Sequence, residues 1–321
     1  MGLSEESDAT RRLYQPARGH VCCAAVAFWS KRTTEEPAKA GEAAPSGPAD
    51  PVHIRVRDMK KAYDGSPVLK GVSFDILRGQ INVIIGGSGA GKSVFTRQLL
   101  RLESPDAGQI LVDGVDIVPL DDWQLVPIRK KFGMVFQFGA LFDSMSVYDN
   151  VAFPLREHTK MTKKQIHERV MQRLEDLRVA NAAHKLPGQI SGGMQKRSAL
   201  ARALVLEPAI LVYDGPTSGL DPLSSRRVDE LIAETSEKFG VTSLVITHDM
   251  ASVFQIASRV NMLYDGRIEA SGTPDDILAS ENPVVIDFLR ASGVSSSTLE
   301  GAKLPAESTP AEVLARLGKP R

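Results

Sequence analysis

One short glycine-rich segment constrains the fold of this chain more than any other feature. It reads Gly86-Gly87-Ser88-Gly89-Ala90-Gly91-Lys92-Ser93 and has the spacing G-x-x-x-x-G-K-S. Glycine lets the backbone approach an anion closely and adopt positive φ, so that N–H groups can surround phosphate oxygens. A β-branched apolar run, Ile81–Ile85, precedes the segment. Residues 94–102 after it have helical spacing, which predicts a helix with Phe95, Leu99 and Leu102 on one apolar face. The order strand, loop, helix predicts an α/β protein with a phosphate-binding loop.

The last two residues of this segment carry the chemistry of a nucleotide site. Lys92 can supply positive charge to the β and γ phosphates, and the Ser93 hydroxyl is a suitable ligand for Mg²⁺. The N-terminus of the following helix adds the positive end of its dipole. A glycine-rich turn without function would not need lysine and serine there, so we predict a site for ATP and Mg²⁺.

Polar residues directly follow three further apolar runs that we interpret as strands. These residues are Gln137, Asp214 and His248. Because the carboxyl ends of parallel strands meet at one edge of a sheet, the three side chains should lie near the phosphate loop. Asp214 is the predicted carboxylate beside Mg²⁺, the His248 imidazole could reach the γ-phosphate, and the Gln137 amide could orient water and contact the metal. Taken singly, the histidine and the glutamine are weak signals.

Two more motifs, in fixed order with these residues, resemble the ATP-binding cassette of ABC transporters. Residues 190–195 read I-S-G-G-M-Q, and residues 214–221 read D-G-P-T-S-G-L-D. The resemblance implies an α/β P-loop NTPase fold, with a RecA-like lobe built on a mixed sheet and a helical signature subdomain. It implies a cassette over 52–290 with the helical subdomain at about 138–205, a disordered N-terminal extension over 1–51 and a C-terminal tail over 291–321.

The resemblance also implies roles for single residues. The nucleotide would be bound by an aromatic side chain, the phosphate loop, and the signature and D-loop segments: Tyr63, Gly86, Gly87, Ser88, Gly89, Ala90, Gly91, Lys92, Ser93, Ser191, Gly192, Gly193, Met194 and Asp221. Ser93, Gln137 and Asp214 would surround Mg²⁺, and Gln137, Asp214 and His248 would act in catalysis. In this family the signature segment of one copy meets the γ-phosphate held by another, so the resemblance implies an ATP-sandwich dimer. The alternative interpretation of Tyr63 is an ordinary tyrosine at a strand end.

One position departs from the family pattern. The family places a glutamate directly after the Walker B aspartate, as general base for the attacking water, and this chain has Gly215. Asp214 cannot substitute, because a carboxylate bound to Mg²⁺ is held ionised and points at the metal. We therefore predict tight ATP binding and slow hydrolysis. A cassette that uses ATP as a binding switch, a partner that supplies the base, and a substitution introduced by mutation or sequence error all remain open.

Two stretches resemble the ATPases of Mla and MCE-associated lipid transport systems. They are residues 136–145, F-Q-F-G-A-L-F-D-S-M, and residues 190–197, I-S-G-G-M-Q-K-R. The resemblance implies ATP-driven transport of phospholipid or a related lipid, with an integral-membrane permease and an MCE-domain lipid-binding protein as partners. The chain would lie in the cytoplasm, on the inner face of the cell membrane. Phe138, Leu141 and Phe142 suit a hydrophobic partner if they are exposed, and burial in the helical subdomain is the alternative.

Composition narrows the remaining functions. The 39 basic and 39 acidic residues give a net charge of zero, so nothing indicates a nucleic-acid groove. No apolar run reaches the ~18 residues of a membrane span. Cys22 and Cys23, the only cysteines, are adjacent and lie in the N-terminal extension, where they cannot cross-link the fold. A soluble ABC ATPase acting on DNA or ribosomes, and a regulatory ATP-binding module indicated by Gly215, remain the alternative functions.

Overall fold

A computed structural model of the chain describes residues 50–136 and 139–294. The predictions for the N-terminal extension, for Gln137 and Phe138, and for residues 295–321 lie outside the described residues. The predicted domain boundaries stay a prediction.

The described residues contain ten strands and nine α-helices with the following bounds. The strands are β1 Val52–Tyr63, β2 Ser66–Leu77, β3 Ile81–Ile85, β4 Ala107–Val112, β5 Val115–Asp116, β6 Phe132–Phe136, β7 Ile210–Asp214, β8 Thr242–Ile246, β9 Arg259–Tyr264 and β10 Arg267–Gly272. The α-helices are α1 Lys92–Leu99, α2 Asp122–Arg129, α3 Val147–His158, α4 Lys163–Asp176, α5 Gly192–Leu204, α6 Pro222–Phe239, α7 Met250–Ile256, α8 Pro274–Leu278 and α9 Pro283–Ala291.

The strands form two sheets. One is four-stranded and antiparallel, in the order β2-β1-β4-β5. The other has six strands in the order β10-β9-β3-β8-β7-β6, in which β10 is antiparallel and the other five strands are parallel. Phe136 pairs with Asp214, and both Asp214 and Ile84 pair with Ile246, so β3, β8, β7 and β6 end at one edge of this sheet. This mixed sheet is the predicted sheet of a P-loop NTPase.

Three helices, α3 to α5, lie between β6 and β7 in the chain and form the predicted helical region. The sequence T-x-x-Q at 162–165 predicts a capping box, and helix α4 starts after Thr162, whose side chain accepts the Gln165 N–H. Helical spacing predicts an apolar stripe after this cap, and its members are buried throughout: Ile166, Val170, Leu174 and Leu177. Burial of this stripe between the helices fixes them to one another and to the sheet.

Helix α1 differs from its predicted bounds at both ends. It starts at Lys92, directly after Gly91, whose φ of 105° terminates the loop. It ends at Leu99, and the left-handed Arg101, with φ 52°, turns the chain away. Leu102, predicted on the apolar face of the helix, therefore lies outside it and is 37% exposed. The sequence predicts strands at residues 54–57 and 72–76. Strands β1 and β2 extend well beyond these segments, because cross-strand pairing includes polar residues that apolar periodicity cannot reveal.

Candidate nucleotide-binding site

The phosphate loop connects β3 to α1 and has the shape its glycines predict. Gly89 and Gly91 have φ values of 79° and 105°, in the region that L side chains rarely adopt. A Cβ added at Gly91 would lie 2.9 Å from Leu69 Cδ2, so the loop packs tightly against β2. A Cβ added at Gly87 or Gly89 would meet no atom within 4 Å. The loop therefore packs against β2 at Gly91 and is open at Gly87 and Gly89, which leaves room for a phosphate group.

Lys92 lies across this loop. Its Nζ donates hydrogen bonds to the carbonyl oxygens of Gly86 at 2.6 Å and Gly87 at 2.7 Å. Partial burial lowers the pKa of Lys92, and the nearby Asp214 carboxylate opposes that shift. A phosphate would replace two neutral carbonyl partners with anionic oxygens, which form stronger hydrogen bonds to an ammonium group.

The residues at the predicted metal position have suitable chemistry for Mg²⁺. Asp214 ends β7 and is partly buried, which raises its pKa, while Lys92 acts to lower it. Ser93 presents a hydroxyl in the first turn of α1. Within the described residues no group of three or more His, Cys, Asp or Glu side chains could hold a metal. A carboxylate and a hydroxyl, completed by phosphate oxygens and water, match the usual way proteins bind Mg²⁺.

The other two predicted strand-end residues follow neighbouring strands at the same edge. Thr247 N–H donates to Ile84 O at 3.1 Å, which fixes the chain just before His248 beside β3. His248 itself is exposed. Gln137 lies outside the described residues; it comes directly after Phe136, which pairs with Asp214. The topology therefore gathers the chain positions 86, 214 and 248 at one sheet edge, at which β6 also ends with Phe136.

Gly215 adopts a left-handed conformation with φ 60°. Its N–H donates to Ile246 O at 2.8 Å, and its carbonyl accepts the Ser218 N–H at 3.2 Å. The next residue, Pro216, accepts a hydrogen bond from Lys196 Nζ at 2.7 Å. No sequence signal indicates Lys196, because only the fold shows that a lysine of the signature helix reaches this loop.

Tyr63 ends β1 and is held by its hydroxyl group. The hydroxyl donates to the Glu103 carboxylate and accepts from Arg97 Nη2 at 3.4 Å. Lys61 Nζ lies 5.6 Å from the ring centre. Burial and the bond to Glu103 raise the pKa of Tyr63. These contacts fix the ring near the end of α1, and no sequence signal connected Tyr63 with Glu103.

The signature segment forms the N-terminus of α5. Ser191 Oγ accepts the Met194 N–H at 3.4 Å, as an N-cap. Ser191, Gly192 and Gly193 are exposed, and a Cβ added at either glycine would meet no atom within 4 Å. The positive end of the α5 dipole therefore faces open space. Asp221 is also exposed and accepts the Ser224 N–H at 3.0 Å as the N-cap of α6, which lowers its pKa.

The comparisons with known proteins agree with this geometry. The family model described as "ABC transporter" matches residues 69–218. The "Probable ribonucleotide transport ATP-binding protein mkl" of Mycobacterium leprae is 40% identical over 266 residues, covering 83% of this chain and 76% of the relative. The "Intermembrane phospholipid transport system ATP-binding protein MlaF" of Escherichia coli is 39% identical over 236 residues, covering 74% of this chain and 88% of the relative.

A solved structure shares the fold. It is a dimeric ATP-binding cassette in a post-hydrolysis state bound to ADP and phosphate, with TM-score 0.61 and 30% identity over 69% of this chain and 98% of the other. The predicted cassette fold is therefore confirmed. Within the described ranges no helix is long and apolar enough to cross a membrane. The phosphate loop, the strand-end residues and the similar sequences lead to one conclusion: this chain belongs to the nucleotide-binding, ATP-binding subunits of the ABC transporter family.

Proposed function

We propose that the chain binds ATP with Mg²⁺ and that two copies close over two nucleotides. One observation carries the proposal: Lys92 lies on the phosphate loop near the Asp214 carboxylate, while the N-terminus of α5 is exposed, with no atom within 4 Å of a Cβ added at Gly192 or Gly193. Each copy would thus offer half of a site and receive the other half from its twin. The dimeric relative with ADP and phosphate supports this arrangement.

In the proposed site each group has one task. Backbone N–H groups of residues 86–93 would hold the phosphates, with Lys92 Nζ exchanging loop carbonyls for phosphate oxygens. Ser93, Asp214 and Gln137 would hold Mg²⁺, which when bound neutralises charge on the phosphates. Tyr63 would stack on the adenine. Ser191 to Met194 of the second copy would bind the γ-phosphate, with Asp221 lying at the same interface.

Hydrolysis in this proposal is slow. Position 215 has no side chain to accept a proton from water, and its backbone is fixed by the hydrogen bond to Ile246. Gln137 and His248 would still orient water and the γ-phosphate. Loss of a positioned base removes ~10²- to 10⁴-fold of rate. A regulatory module that binds ATP without turning it over is the second candidate function, and Gly215 is the observation that favours it.

We propose that the cargo is phospholipid or a related lipid, moved through a permease together with an MCE-domain protein. The similarity to a phospholipid transport protein and the sequence of residues 136–145 support this cargo. The name of another relative contains "ribonucleotide transport", which makes ribonucleotide the competing cargo. Leu141 and Phe142 are partly buried, and Phe142 packs edge-on against Phe153 with ring centres 5.3 Å apart. The apolar surface available for docking would thus be smaller than if both side chains were fully exposed. In this proposal the chain works in the cytoplasm, on the inner face of the membrane.

ATP binding and dimerisation can be measured on the purified chain. We expect ATP with Mg²⁺ to convert a monomer into a dimer in light scattering after size-exclusion chromatography. Gly193→Glu places a negative side chain at the open end of α5, so it should bind ATP as a monomer. A chain that binds ATP but stays monomeric, or a Gly193→Glu variant that still dimerises, would contradict the sandwich.

The cargo needs the assembled complex. The chain should be purified with its permease from membrane extract and reconstituted into vesicles that carry a fluorescent phosphatidylethanolamine. ATP-dependent loss of this lipid to acceptor vesicles supports lipid transport. ATP-dependent uptake of labelled ribonucleotide without lipid transfer would overturn the lipid proposal. A single-turnover assay on the same complex separates slow hydrolysis from none.

A further inference from the structure

The chain between β6 and α3 is held by a side chain from the signature helix. We call residues 139–146 the strap. Arg202 of α5 donates from Nη2 to Gly139 O at 2.9 Å and from Nη1 to Ala140 O at 2.7 Å. Its guanidinium carbon lies 6.0 Å from the ring centre of Phe142. One arginine therefore bonds to two carbonyl oxygens of the strap and lies near the ring of Phe142.

The far end of the strap is fixed by Asn150 of α3. The buried Asn150 side chain donates to Phe142 O and to Met145 O, each at 3.1 Å, and accepts the Phe142 N–H at 2.7 Å. Residues 139–141, at the start of the strap, make no hydrogen bond with Asn150. In that first part of the strap the Gly139 N–H donates to Phe136 O at 2.9 Å, and the carbonyl oxygens of Gly139 and Ala140 accept from Arg202.

The first part of the strap has little intrinsic preference for its conformation. Ala140 has φ 46°, which an L residue adopts at a cost. Gly139 packs so close to α5 that an added Cβ would lie 3.3 Å from Ala199 Cβ. Burial lowers the pKa of Arg202 to about 10, which leaves it charged at neutral pH. A partly desolvated charge is strongly held by its acceptors, so the guanidinium and the two carbonyls should stay together.

The helix that carries Arg202 begins at the signature segment. At a rise of 1.5 Å per residue, Arg202 lies about 16 Å along the axis from Ser191. Lys196, on the same helix, donates to Pro216 O at 2.7 Å, beside Gly215. Helix α5 thus connects the outward-facing signature end to both loops that leave the sheet next to Asp214. A displacement of its N-terminus reaches the strap through Arg202.

We propose that Arg202 is a positioning residue that makes the strap follow the signature helix, so that a nucleotide of the second copy, bound at Ser191 to Gly193, changes the segment next to position 137. This inference deepens the proposed function and rests on its ATP sandwich. It assigns to Arg202 the step between sensing the partner's nucleotide and reshaping the surface that follows β6.

Hydrogen–deuterium exchange of the full chain tests the proposal, with and without ATP and Mg²⁺. In the wild type we expect ATP to slow exchange at least about threefold in the phosphate loop and in the strap. Arg202→Met should bind ATP within about threefold of the wild-type affinity and keep the phosphate-loop response, yet lose the strap response. Arg173→Met is the matched control, because Arg173 is also a buried arginine but contacts Asp176 and Phe239 instead of the strap.

Each outcome decides the matter. The inference would be overturned if Arg202→Met kept the wild-type strap response, or if Arg173→Met lost the response equally. It would also be overturned if the wild type responded to ATP at the phosphate loop but not at the strap. Absence of both responses in the wild type would instead refute ATP binding itself. If Arg202→Met does not fold, Arg202→Lys replaces it in the test, because a single ammonium group cannot reproduce the two hydrogen bonds that the planar guanidinium donates to the Gly139 and Ala140 carbonyls. We expect it to lose at least about half of the strap response, and a full response would refute the role.

Discussion

Substitutions at Gly215 distinguish two effects on the protein: the absence of a general base and the left-handed backbone conformation of the loop. Gly215 has φ 60°, and its N–H is committed to Ile246 O. A left-handed backbone costs an L residue about 1–2 kcal/mol. We expect Gly215→Ala and Gly215→Glu to lower the free energy of unfolding by this same amount, about 1–2 kcal/mol, because the cost belongs to the backbone. Urea denaturation measures it.

The effect on rate follows from two opposing quantities. A positioned base contributes ~10²- to 10⁴-fold, or about 2.7–5.4 kcal/mol of barrier. If the variant loop relaxes before the reaction and must regain its left-handed backbone in the transition state, the strain of about 1–2 kcal/mol removes about one decade of this gain. Gly215→Glu should therefore raise the hydrolysis rate by about 10- to 10³-fold over the wild type.

A single-turnover assay with radiolabelled ATP and excess protein measures the chemical step. Gly215→Gln is the matched control, since glutamine has the same size and the same backbone strain but cannot act as a base. Equal rates for the Glu and Gln variants would refute the assignment of position 215 to the base. A Gly215→Ala variant as stable as the wild type would refute the argument that the backbone requires glycine.

Three further predictions follow from single side chains. Lys92→Ala should weaken ATP binding about 10- to 100-fold in titration calorimetry, because a charged hydrogen bond contributes about 1.5–3 kcal/mol. The control Lys164→Ala, at a side chain 88% exposed on α4, should leave the ATP affinity unchanged. Equal losses of affinity in the two variants would contradict the role of Lys92. Acidification from pH 6.5 to 4 should lower the free energy of unfolding by about 3 kcal/mol through His53. Burial lowers the pKa of His53 from 6.5 to about 4, so in this window the unfolded chain binds a proton that the folded chain does not. In urea denaturation, His53→Gln should flatten the dependence of the unfolding free energy on pH. An unchanged pH dependence would contradict the assignment to His53. Asn150→Ala should cost about 1–3 kcal/mol of stability by leaving strap groups unpaired, without changing ATP affinity in calorimetry; a loss of affinity instead of stability would contradict it.

Local features of the site could be predicted because their causes lie within a few residues. Gly89 and Gly91 specify the loop through their own φ preferences, and Lys92 and Ser93 follow at fixed spacing. Strand β3 has its predicted bounds because a buried central strand is apolar throughout. The start of α4 was predictable from a cap that involves only Thr162 and Gln165. The bounds of α1 were wrong, since the left-handed turn at Arg101 has no signal in apolar spacing.

Contacts between distant parts of the chain could not be predicted. The amino-acid sequence predicted a phosphate loop, several polar residues at strand ends and the order of the family motifs. Only the strand order β3-β8-β7-β6 brings Lys92 and Asp214 together, and only the packing of α5 joins Lys196 to Pro216 and Arg202 to the strap. The physical reason is that backbone preferences and caps act locally, whereas ion pairs and buried hydrogen bonds depend on which elements the core packs side by side.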